Sequence, residues 1–318
     1  MKIRLGYVAN PITFDKILTY KKTITYTNYI KLEKNKQKKR NELIASNLEA
    51  LKKVLEYNVE NEIYFHRITH DIVPLATKKD MEDDYFFLYK DKFLEIGKII
   101  KENKMRIDFH PDEFCVLNSQ KEEVVEQSIR TLKFHHALFI ALGIKSKMIL
   151  HIGSGKDSKE EGLRRFKENF LKLPLSIRKE IIIENDDRIY NVIDTLNLCE
   201  ELKVPMVLDY HHYLCNKGKE KIEDYLKRII DTWENTGLNP KIHFSSPKSN
   251  KEKISHSTYI NFKDFLKFID KLKKIESDTD FDIMLECKAK DEALFRLSRQ
   301  LNFFTNLIKI NSSTFILK

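Results

Sequence analysis

The sequence predicts a single-domain α/β fold of the TIM (β/α)8 barrel class, and three observations support it. Eight short runs rich in β-branched or apolar residues recur along the chain. Each run is followed by a longer segment with apolar residues at three- and four-residue spacing. No interior stretch rich in Pro, Gly or Ser separates these units, so the sequence has no linker to a second domain. Eight strand–helix units in series are the number that such a barrel contains.

The predicted strands are the short apolar runs. Runs of this length, bounded by polar or turn-forming residues, are typical of strands that are buried on both faces in a parallel sheet. In chain order the predicted strands are residues 3–8, 62–67, 105–110, 147–152, 179–184, 206–210, 241–245 and 282–287.

The segments between these strands have the periodicity of amphipathic helices, which would cover the outside of the barrel. The predicted helices are residues 41–57, 84–102, 122–142, 159–170, 191–202, 220–234, 263–273 and 291–301. The barrel domain is therefore expected to span residues 1–301. Residues 302–318 follow the eighth helix as a tail to which the sequence assigns no role.

The composition excludes disordered and membrane-spanning proteins. Hydrophobic residues make up 42% of the 318 positions, which is typical of a globular chain. No segment approaches the roughly 18 consecutive apolar residues that a membrane helix requires. The four cysteines form no C-x-x-C pair and no signal peptide precedes the first strand, which favours a reduced, intracellular protein. The sequence does not define the oligomeric state, and a monomer is assumed.

The positive charge is concentrated near the N-terminus. The formal net charge is +9, and residues 1–60 hold 13 basic and 6 acidic side chains. The densest part is residues 31–40, which includes Lys36, Lys38 and Lys39 and follows a tyrosine-containing stretch. Lysines beside aromatic residues can neutralise phosphates and stack on bases, so nucleic acid is the first partner to consider. A solvated loop that leads into a helix explains the same charge equally well.

Residues of the metal-binding type follow most of the predicted strands. Catalytic residues of TIM barrels lie on the loops at the carboxyl ends of the strands. Each candidate alone has an ordinary explanation, since a single His is more often a hydrogen-bonded structural residue, a carboxylate can cap a helix, and Tyr7 can belong to the core. The candidates are Tyr7, Asn10, Asp71, His110, His151, Glu184, Asp209, His212, His243, His256 and Glu286.

Taken together, these positions predict a metal centre. Five of the ten histidines and three or four carboxylates converge on one rim of the predicted barrel, whereas unrelated structural residues would scatter over both ends. Mixed imidazole and carboxylate ligands suit zinc, manganese or related divalent ions, and the absence of Cys argues against a structural zinc site. The set is too large for one ion, so two or three ions are expected. Clustered divalent ions favour phosphodiester hydrolysis by a metal-activated hydroxide.

The same residues carry a resemblance to a known family. The sequence resembles the UV damage endonucleases, which are TIM-barrel relatives of the endonuclease IV type of abasic-site nuclease. The motifs run in family order through roughly residues 1 to 300, and together they are specific although each is weak alone. They are IRLGY at 3–7 with Asn10, RI at 67–68 with Asp71 and Pro74, HP at 110–111, LHIG at 150–153, IENDD at 183–187, DYHH at 209–212 with Asn216, KIH at 241–243 and MLECK at 284–288.

The resemblance implies an enzyme that nicks duplex DNA on the 5′ side of a lesion, such as a cyclobutane dimer or a 6-4 photoproduct, with up to three divalent ions, usually manganese. It implies that His110 and His151 hold one ion and that Asp209 and His243 hold another. Glu184 would bridge these two ions with help from Glu286, and His212 with His256 would hold the third. Lys241 matches a lysine that can be carboxylated and then serves as a further ligand. The expected catalytic residues are Glu184, Asp209, Glu286 and Lys241.

The chain departs from the family pattern at two places. Asp71 stands where a close relative has a histidine after the second strand, which keeps a ligand type but alters its charge. Glu113 and Phe114 stand where the family has a Gln-Tyr pair that probes the lesion. Phe114 can still wedge between bases, whereas an ionised Glu113 accepts but does not donate hydrogen bonds, so the lesion preference is expected to differ. Tyr7 and Asn10 match residues that help to hold the extruded lesion.

Three alternatives stay open at the level of sequence. An abasic-site nuclease would carry a similar metal centre. A metal-dependent sugar isomerase also places Glu, Asp and His at strand ends, although it would need a closed pocket and no basic run. A DNA-binding module that has lost catalysis is disfavoured, because every expected ligand type is present.

Overall fold

The computed structural model describes residues 1–13, 18–81, 84–112 and 114–317. In these residues eight parallel strands form a closed ring, because β1 pairs with both β2 and β8 and every other strand pairs with its sequence neighbours. The predicted TIM barrel is confirmed. The strands are β1 Lys2–Val8, β2 Phe65–Ile68, β3 Arg106–Phe109, β4 Lys147–His151, β5 Ile181–Glu184, β6 Met206–Asp209, β7 Lys241–Phe244 and β8 Phe281–Leu285.

The helices surround this barrel. Their buried faces pack on the outer side of the strands and form one large apolar core. Short 3₁₀ turns occur at Glu33–Asn35, His70–Ile72 and Ile222–Asp224. The helices are α1 Tyr26–Lys31, α2 Lys36–Glu60, α3 Tyr85–Leu88, α4 Lys90–Glu102, α5 Glu122–Leu142, α6 Lys159–Lys172, α7 Leu175–Arg178, α8 Val192–Leu202, α9 Tyr210–Cys215, α10 Leu226–Asp231, α11 Phe262–Ile275 and α12 Lys290–Phe304.

Several predicted boundaries differ from the observed ones. The second strand begins at Phe65 rather than at residue 62, because Glu62 adopts a positive φ of 56° in the turn after α2. The predicted helix 84–102 is two helices that meet at Tyr89, and 220–234 is a 3₁₀ turn followed by α10. The first predicted helix is longer than expected, since α2 begins at Lys36. Periodicity located these elements but not the turns that interrupt them.

The C-terminal segment completes the sheet. Strands β9 Ile308–Asn311 and β10 Thr314–Ile316 form a hairpin, and β10 pairs antiparallel with the first half of β1. The second half of β1 pairs with β2. The hairpin therefore covers the backbone of β1 at the amino end of the barrel, opposite the rim that carries the predicted ligands. The tail thus supplies two additional strands.

One half of the barrel interior is apolar. Ile149, Ile182 and Val207 point inward from β4, β5 and β6 and pack with Trp233 in a cluster separate from the outer core. The indole nitrogen of Trp233 donates a 2.7 Å hydrogen bond to the Met206 carbonyl. This packing closes the barrel below the predicted metal rim.

The other half of the interior is charged. Arg4 and Arg106 both bind the Asp282 carboxylate, at 2.6 and 2.8 Å. The Lys241 ammonium donates to Asp108 at 2.9 Å, and Arg106 lies 3.4 Å from the same carboxylate. Positive and negative groups alternate, so each buried charge has an opposite partner. This charged column lies directly below the ligands of β3, β7 and β8.

No helix in the described part of the chain has both the length and the apolar content that a membrane crossing would require.

Candidate metal centre at the carboxyl ends of the strands

The predicted ligands meet because neighbouring strands end side by side. In the register of β4 with β5, His151 lies opposite Glu184, and in the register of β6 with β7, Asp209 lies opposite His243. Side chains alternate along a strand, so these four all point into the barrel mouth. The closed ring therefore brings together residues that are up to 92 positions apart in the sequence.

Glu184 is the centre of the group. It is 1% exposed, and four histidines surround its carboxylate. Its Oε1 atom lies 3.0 Å from His243 Nδ1 and 3.4 Å from His212 Nδ1. Its Oε2 atom lies 3.4 Å from His110 Nε2 and 3.7 Å from His151 Nε2. The two carboxylate oxygens thus face different pairs of imidazoles, as expected of a carboxylate that bridges two ions.

Glu286 follows β8 and joins the group from the opposite side. Its Oε1 atom lies 3.1 Å from His243 Nδ1 and is bound at 2.5 Å by the Arg67 guanidinium. Its Oε2 atom lies 4.0 Å from His256 Nδ1. Arg67 therefore holds one oxygen of Glu286 and leaves the other directed towards His256. Arg67 was not among the predicted site residues, although it lies in one of the motifs that carry the resemblance.

Asp209 is fixed in place by its backbone as well as by its side chain. Its Oδ1 atom accepts a 2.7 Å hydrogen bond from the His212 amide and so caps α9, which leaves Oδ2 free. The Asn185 side chain donates to the Asp209 carbonyl at 3.0 Å and accepts from the Asp209 amide at 2.9 Å. The Asn185 carbonyl also lies 3.0 Å from His212 Nδ1. Asn185 was not among the predicted site residues, although it adjoins Glu184.

Without metal, two residues of the centre, Asp209 and His212, have raised pKa values. Burial raises the pKa of Asp209 well above its ordinary value, and the negative charges of Glu184 and Glu286 add to this effect. Burial opposes protonation of His212, but the charges of Asp209 and Glu184 raise the pKa of His212 to about 11. Divalent cations would take over the role of these protons, because the same carboxylates favour any positive charge.

The buried charges act differently on Glu184 and His243. Burial alone would raise the pKa of Glu184, yet the positive charges of His243 and His151 hold it well below its ordinary value. Burial lowers the pKa of His243 to about 4, against the opposing effect of Glu184 and Glu286. A neutral imidazole and an ionised carboxylate are the forms in which these side chains bind metal.

The donor atoms fit divalent ions. Two groups of three residues bring one ligand atom each within 4.8 Å of one another, namely His110, His151 and Glu184, and then Glu184, Asp209 and His243. Within the described residues, the buried Glu184 Oε2, Asp209 Oδ2 and His243 Nε2 atoms have no hydrogen-bond partner. Unpaired buried polar atoms are costly, so three of them on one group of neighbouring side chains are consistent with a ligand that completes them.

His212 and His256 lie at the edge of these groups. Their ring centroids are 6.3 Å apart, and the His212 ring is 5.7 Å from that of His151. His211 contacts the His256 ring edge-on at 5.3 Å and also lies 3.1 Å from the Ile254 carbonyl. The pair is therefore adjacent to the centre, with His211 packed behind it.

Lys241 lies one layer below the centre. It is fully buried on β7, two residues before His243, and in the amine form it is bound to Asp108. Burial lowers the pKa of Lys241 to about 8, although Asp108 opposes this shift. A ligand role for Lys241 stays a prediction.

Asp71 has a partner other than the predicted cluster. Its Oδ1 atom lies 3.2 Å from His70 Nε2, and Asp112 approaches the same nitrogen at 4.0 Å. Asp71 belongs to neither of the two ligand groups found in the described residues. In this structure the Asp71 carboxylate pairs with the adjacent histidine on the 3₁₀ turn after β2, and its role as a metal ligand stays a prediction. His70 was overlooked in the sequence.

Tyr7 faces away from the barrel mouth in this structure, and its predicted contact with the lesion stays a prediction. Along β1 the side chains alternate, and Arg4 points into the barrel, so Tyr7 points outward to the helices. It is fully buried, donates a 2.6 Å hydrogen bond to Asn58 of α2, and packs against His66 at 4.7 Å. Tyr7 is thus a core residue in this structure.

Asn10 lies at the rim but is occupied by contacts within its own loop. Its side chain donates to Thr19 at 2.6 Å and accepts from the Tyr20 amide at 3.3 Å. It is 8% exposed, so its structural contribution is to shape the loop between β1 and α1. A direct contact between Asn10 and a lesion stays a prediction.

The loop after β3 presents an exposed aromatic ring. Phe114 is 73% exposed, and its amide is held by the Asp112 carboxylate at 2.9 Å. Glu113 lies outside the described residues. An exposed phenylalanine four positions after His110 is thus available to a partner molecule.

The basic run is helical rather than an extended loop. Lys36 opens α2, and Lys38 and Lys39 follow in its first turn, all three exposed. Lys36 also lies 5.8 Å from the Tyr29 ring, and Lys39 lies 3.7 Å from Glu42. Because α2 follows β1, its first turn lies on the same side of the barrel as the metal centre. The predicted position, in or beside the first strand-to-helix loop and on the rim of the candidate metal centre, is consistent with this topology.

Known proteins share both the sequence and the fold. A family model described as UV-endonuclease UvdE matches residues 3–316. The UV DNA damage endonuclease of Bacillus thuringiensis subsp. konkukian (strain 97-27) is 37% identical over 317 residues, which cover 99% of each chain. The crystal structure of SacUVDE matches with a TM-score of 0.85 and 33% identity, over 95% of this chain and 99% of that one.

A more distant structure shows the fold alone. The crystal structure of endonuclease IV from Thermus thermophilus matches with a TM-score of 0.50 and 13% identity, over 88% of this chain and 91% of that one. At this identity the likeness concerns the barrel and not the residues of the site.

Proposed function

The chain belongs to the UV-endonuclease family and is a DNA-repair endonuclease that acts on UV-damaged DNA, and from this premise we propose the chemistry and residues of its active site. We propose that it nicks duplex DNA on the 5′ side of cyclobutane dimers and 6-4 photoproducts. The observation that carries this proposal is the Glu184 carboxylate, whose two oxygens face two different pairs of histidines. Family membership sets aside the sugar-isomerase and non-catalytic alternatives.

The proposed cofactors are two or three divalent ions, with manganese as the native metal and zinc as the competitor. One ion would be held by His110, His151 and Glu184, and a second by Glu184, Asp209 and His243. Bound ions of this kind lower the pKa of water and stabilise the charge that develops on the oxygens of a phosphodiester.

The third proposed position lies between His212, His256 and Glu286. Glu286 has one oxygen engaged by Arg67, so its second oxygen is available on the side of His256. Arg67 acts here as a positioning residue, since it fixes the carboxylate without taking part in the reaction itself. Asn185 does the same for Asp209.

Lys241 is proposed as a further ligand in a carboxylated form. In that reaction the neutral amine attacks carbon dioxide, an N–C bond forms, and one proton is released. The depressed pKa of Lys241, which burial lowers to about 8, supports this proposal because it makes the neutral amine accessible. The carbamate would carry a negative charge, so it would turn from Asp108 towards the ions. Mass spectrometry of the intact protein under carbon dioxide tests this step.

The DNA contacts proposed for the rim come from two loops and one helix. Phe114 would enter the base stack at the lesion, with Glu113 and Asn10 beside it, because the stacking of a photoproduct is already weakened. Lys36, Lys38 and Lys39 would contact phosphates without reading the sequence.

A nicking assay tests the proposed function. The substrates are three duplexes of one sequence that carry a cyclobutane dimer, an abasic site or no lesion. With manganese present we expect cleavage of the dimer duplex on its 5′ side and little cleavage of the undamaged duplex, and chelator should abolish cleavage. Equal cleavage of damaged and undamaged DNA would refute lesion recognition. Preference for the abasic duplex would instead assign the abasic-site activity.

Two Glu→Gln variants, one at the end of β5 and one just before its start, separate the role of the candidate metal centre from general damage to the fold. Glu184→Gln should abolish nicking and lower the bound metal, while the affinity for dimer DNA is largely kept. Glu180→Gln is the matched control, because Glu180 lies before β5 at the opposite end of the barrel and contacts the part-buried His136. This control should nick like the unaltered protein. Full activity in Glu184→Gln would refute the ligand assignment.

A further inference from the structure

His211 is a buried histidine at the rim of the barrel that is not among the candidate ligands. It lies in α9 directly before His212, and it is 1% exposed. A buried imidazole needs partners for its polar nitrogens, because an unpaired buried polar group is costly. The partner that His211 has lies in the chain segment after β7, which is therefore described first.

The segment between β7 and α11, residues 245–261, is here called the β7 loop. It folds back on itself, since the Ser257 amide donates to the Ser246 carbonyl at 2.8 Å. Inside this contact, Pro247 and His256 form an antiparallel bridge. The β7 loop is thus a narrow hairpin, and its returning limb carries His256.

The base of the β7 loop is fixed to the chain after β8. The Lys288 amide donates to the Ser257 carbonyl at 3.1 Å, and the Ala289 amide donates to the Thr258 carbonyl at 3.0 Å. The tip, residues 248–255, lies beyond these bonds. Its position therefore depends on contacts of its own.

The tip of the β7 loop is fixed to α9 by His211. The Nε2 atom of His211 lies 3.1 Å from the Ile254 carbonyl, and because a carbonyl only accepts, Nε2 carries a proton and donates it. The Cys215 thiol, a weak donor, lies 3.7 Å from the Lys253 carbonyl. The other hydrogen bonds that residues 248–255 make within the described chain stay inside the β7 loop. The strongest tie between the tip and the barrel is therefore the bond from His211.

His211 also supports the His256 ring directly. The two rings meet edge-on, with their centroids 5.3 Å apart and an angle of 89° between their planes. On its other side, the His256 ring lies 6.3 Å from that of His212, and its Nδ1 atom lies 4.0 Å from Glu286 Oε2. Ile254 precedes His256 by two residues, so the bond to its carbonyl also limits the backbone of His256.

We propose that His211 is a positioning residue, which fixes the β7 loop through the Ile254 carbonyl and so holds His256 opposite His212 and Glu286 before an ion binds. Groups that orient the ligands of a metal ion raise its affinity, because the ligands then lose less freedom on binding. The inference rests on the proposed function, since His256 and His212 are ligands of the third proposed ion.

Amide hydrogen exchange of the metal-free protein, in chelator, tests the fixed tip without any reaction. The Lys248 amide donates to the Ser255 carbonyl at 2.7 Å across the tip, so it should be protected in the unaltered protein. In His211→Ala we expect its exchange to become about five- to tenfold faster. His211→Gln should keep the protection, because its side-chain amide can donate to the same carbonyl. Unaltered exchange of Lys248 in His211→Ala would overturn the inference.

Titration with manganese chloride is the second readout, with the electron paramagnetic resonance signal of the free ion as the measure. We expect His211→Ala to lower the affinity for one manganese ion by about ten- to hundredfold, and His211→Gln to lower it by less. Nicking of dimer DNA by His211→Ala should return in excess manganese, because His212 and His256 are still present. Equal losses of affinity in His211→Gln and His211→Ala would make His211 itself a ligand and would overturn the positioning role.

His136→Ala is the control, because His136 lies in α5 and binds the Glu180 carboxylate away from the metal centre. This variant should match the unaltered protein in the exchange of Lys248 and in manganese affinity. If the unaltered protein does not nick dimer DNA, the proposed function fails. If it nicks and His211→Ala binds manganese like the unaltered protein, only the positioning role of His211 fails.

Discussion

The Lys241 ammonium donates a 2.9 Å hydrogen bond to the Asp108 carboxylate inside the barrel, where both side chains are at most 1% exposed. Asp108 in turn lies 3.4 Å from Arg106, which binds Asp282. The candidate metal centre therefore lies directly above a column of buried ion pairs. Such a column is stable only when every charge keeps its partner, because an unpaired buried charge is costly.

Asp108→Asn should lower the free energy of unfolding by about 3 kcal/mol, since it leaves the buried Lys241 ammonium beside a neutral amide. Urea unfolding in the presence of chelator measures this loss without the contribution of metal binding. Adding Lys241→Met to the same chain should restore part of the stability, because the uncompensated charge is then removed. If the two substitutions are simply additive, the pair does not interact as described.

Tyr7→Phe should lower the free energy of unfolding by about 1 kcal/mol, because Asn58 loses the hydroxyl that donates to its buried oxygen. The affinity for dimer DNA should be unchanged, since the Tyr7 ring faces the helices. Thermal or urea unfolding gives the first quantity, and fluorescence anisotropy with labelled DNA gives the second. Weaker binding of damaged DNA by this variant would return Tyr7 to the lesion site.

Phe114→Ala should raise the Kd for dimer DNA by about tenfold while leaving the melting temperature unchanged, because an exposed ring contributes to stacking with bases but little to the fold. Phe303→Ala is the control, since Phe303 is 82% exposed but lies at the end of α12, on the opposite side of the barrel. Anisotropy on damaged and undamaged duplexes measures both. If both substitutions changed the Kd for dimer DNA equally, Phe114 would have no specific role in binding the lesion.

The sequence was sufficient to predict the barrel, and also to predict that most of the candidate ligands lie close together, for a physical reason. In a parallel barrel every strand ends at the same rim, so His151, Glu184, Asp209 and His243 could be placed together from their positions in the strands alone. Their contacts in the structure follow that expectation.

Other features depend on which side of a strand a residue faces, and the sequence does not show this at strand ends. Tyr7 was assigned to the rim by its position near the end of a predicted strand, whereas the alternation of β1 directs it to the helices. In the sequence, charged residues such as Arg106, Asp108 and Asp282 look like surface residues. Only the closed ring shows that they pair with one another inside the barrel. His70 was missed for a similar reason, since its contact with Asp71 depends on a 3₁₀ turn that periodicity does not predict.

The stability of the metal-free protein should fall in acid as two buried histidines resist protonation. Burial lowers the pKa of His66 to about 3 and that of His135 to about 4, from an ordinary value of 6.5. The unfolded chain binds these protons from about pH 6.5 downwards and the folded chain does not. The stability that comes from the two neutral histidines is therefore fully present above pH 6.5. As the pH falls towards 4, the free energy of unfolding decreases by up to about 1.4 kcal/mol per pH unit for each histidine.

His135→Leu should reduce the pH dependence of the free energy of unfolding by the amount that His135 contributes. His135 lies in α5 against Phe109 and Phe134, so an apolar side chain suits its surroundings. Urea unfolding with chelator at pH 7, 6, 5 and 4.5 gives the slope of the free energy of unfolding against pH for both proteins. Each protein is compared with its own value at pH 7. An identical slope in the variant would show that His135 is protonated equally in the folded and unfolded chains.

Replacement of Lys36, Lys38 and Lys39 by Glu should weaken binding to dimer DNA by at least tenfold at low salt. The slope of log K against log salt should fall by about two to three, because each lysine that contacts a phosphate releases about one counterion. The metal content should be unchanged, since these lysines lie on α2 and not at the metal centre. Reversal of Lys101, Lys145 and Lys172, which are exposed at the opposite end of the barrel, alters the net charge equally and provides the control. Titration of labelled duplex at several salt concentrations compares the two proteins. A loss of similar size in both would assign the effect to net charge, and unaltered binding in the first would make residues 36–39 an ordinary solvated helix start.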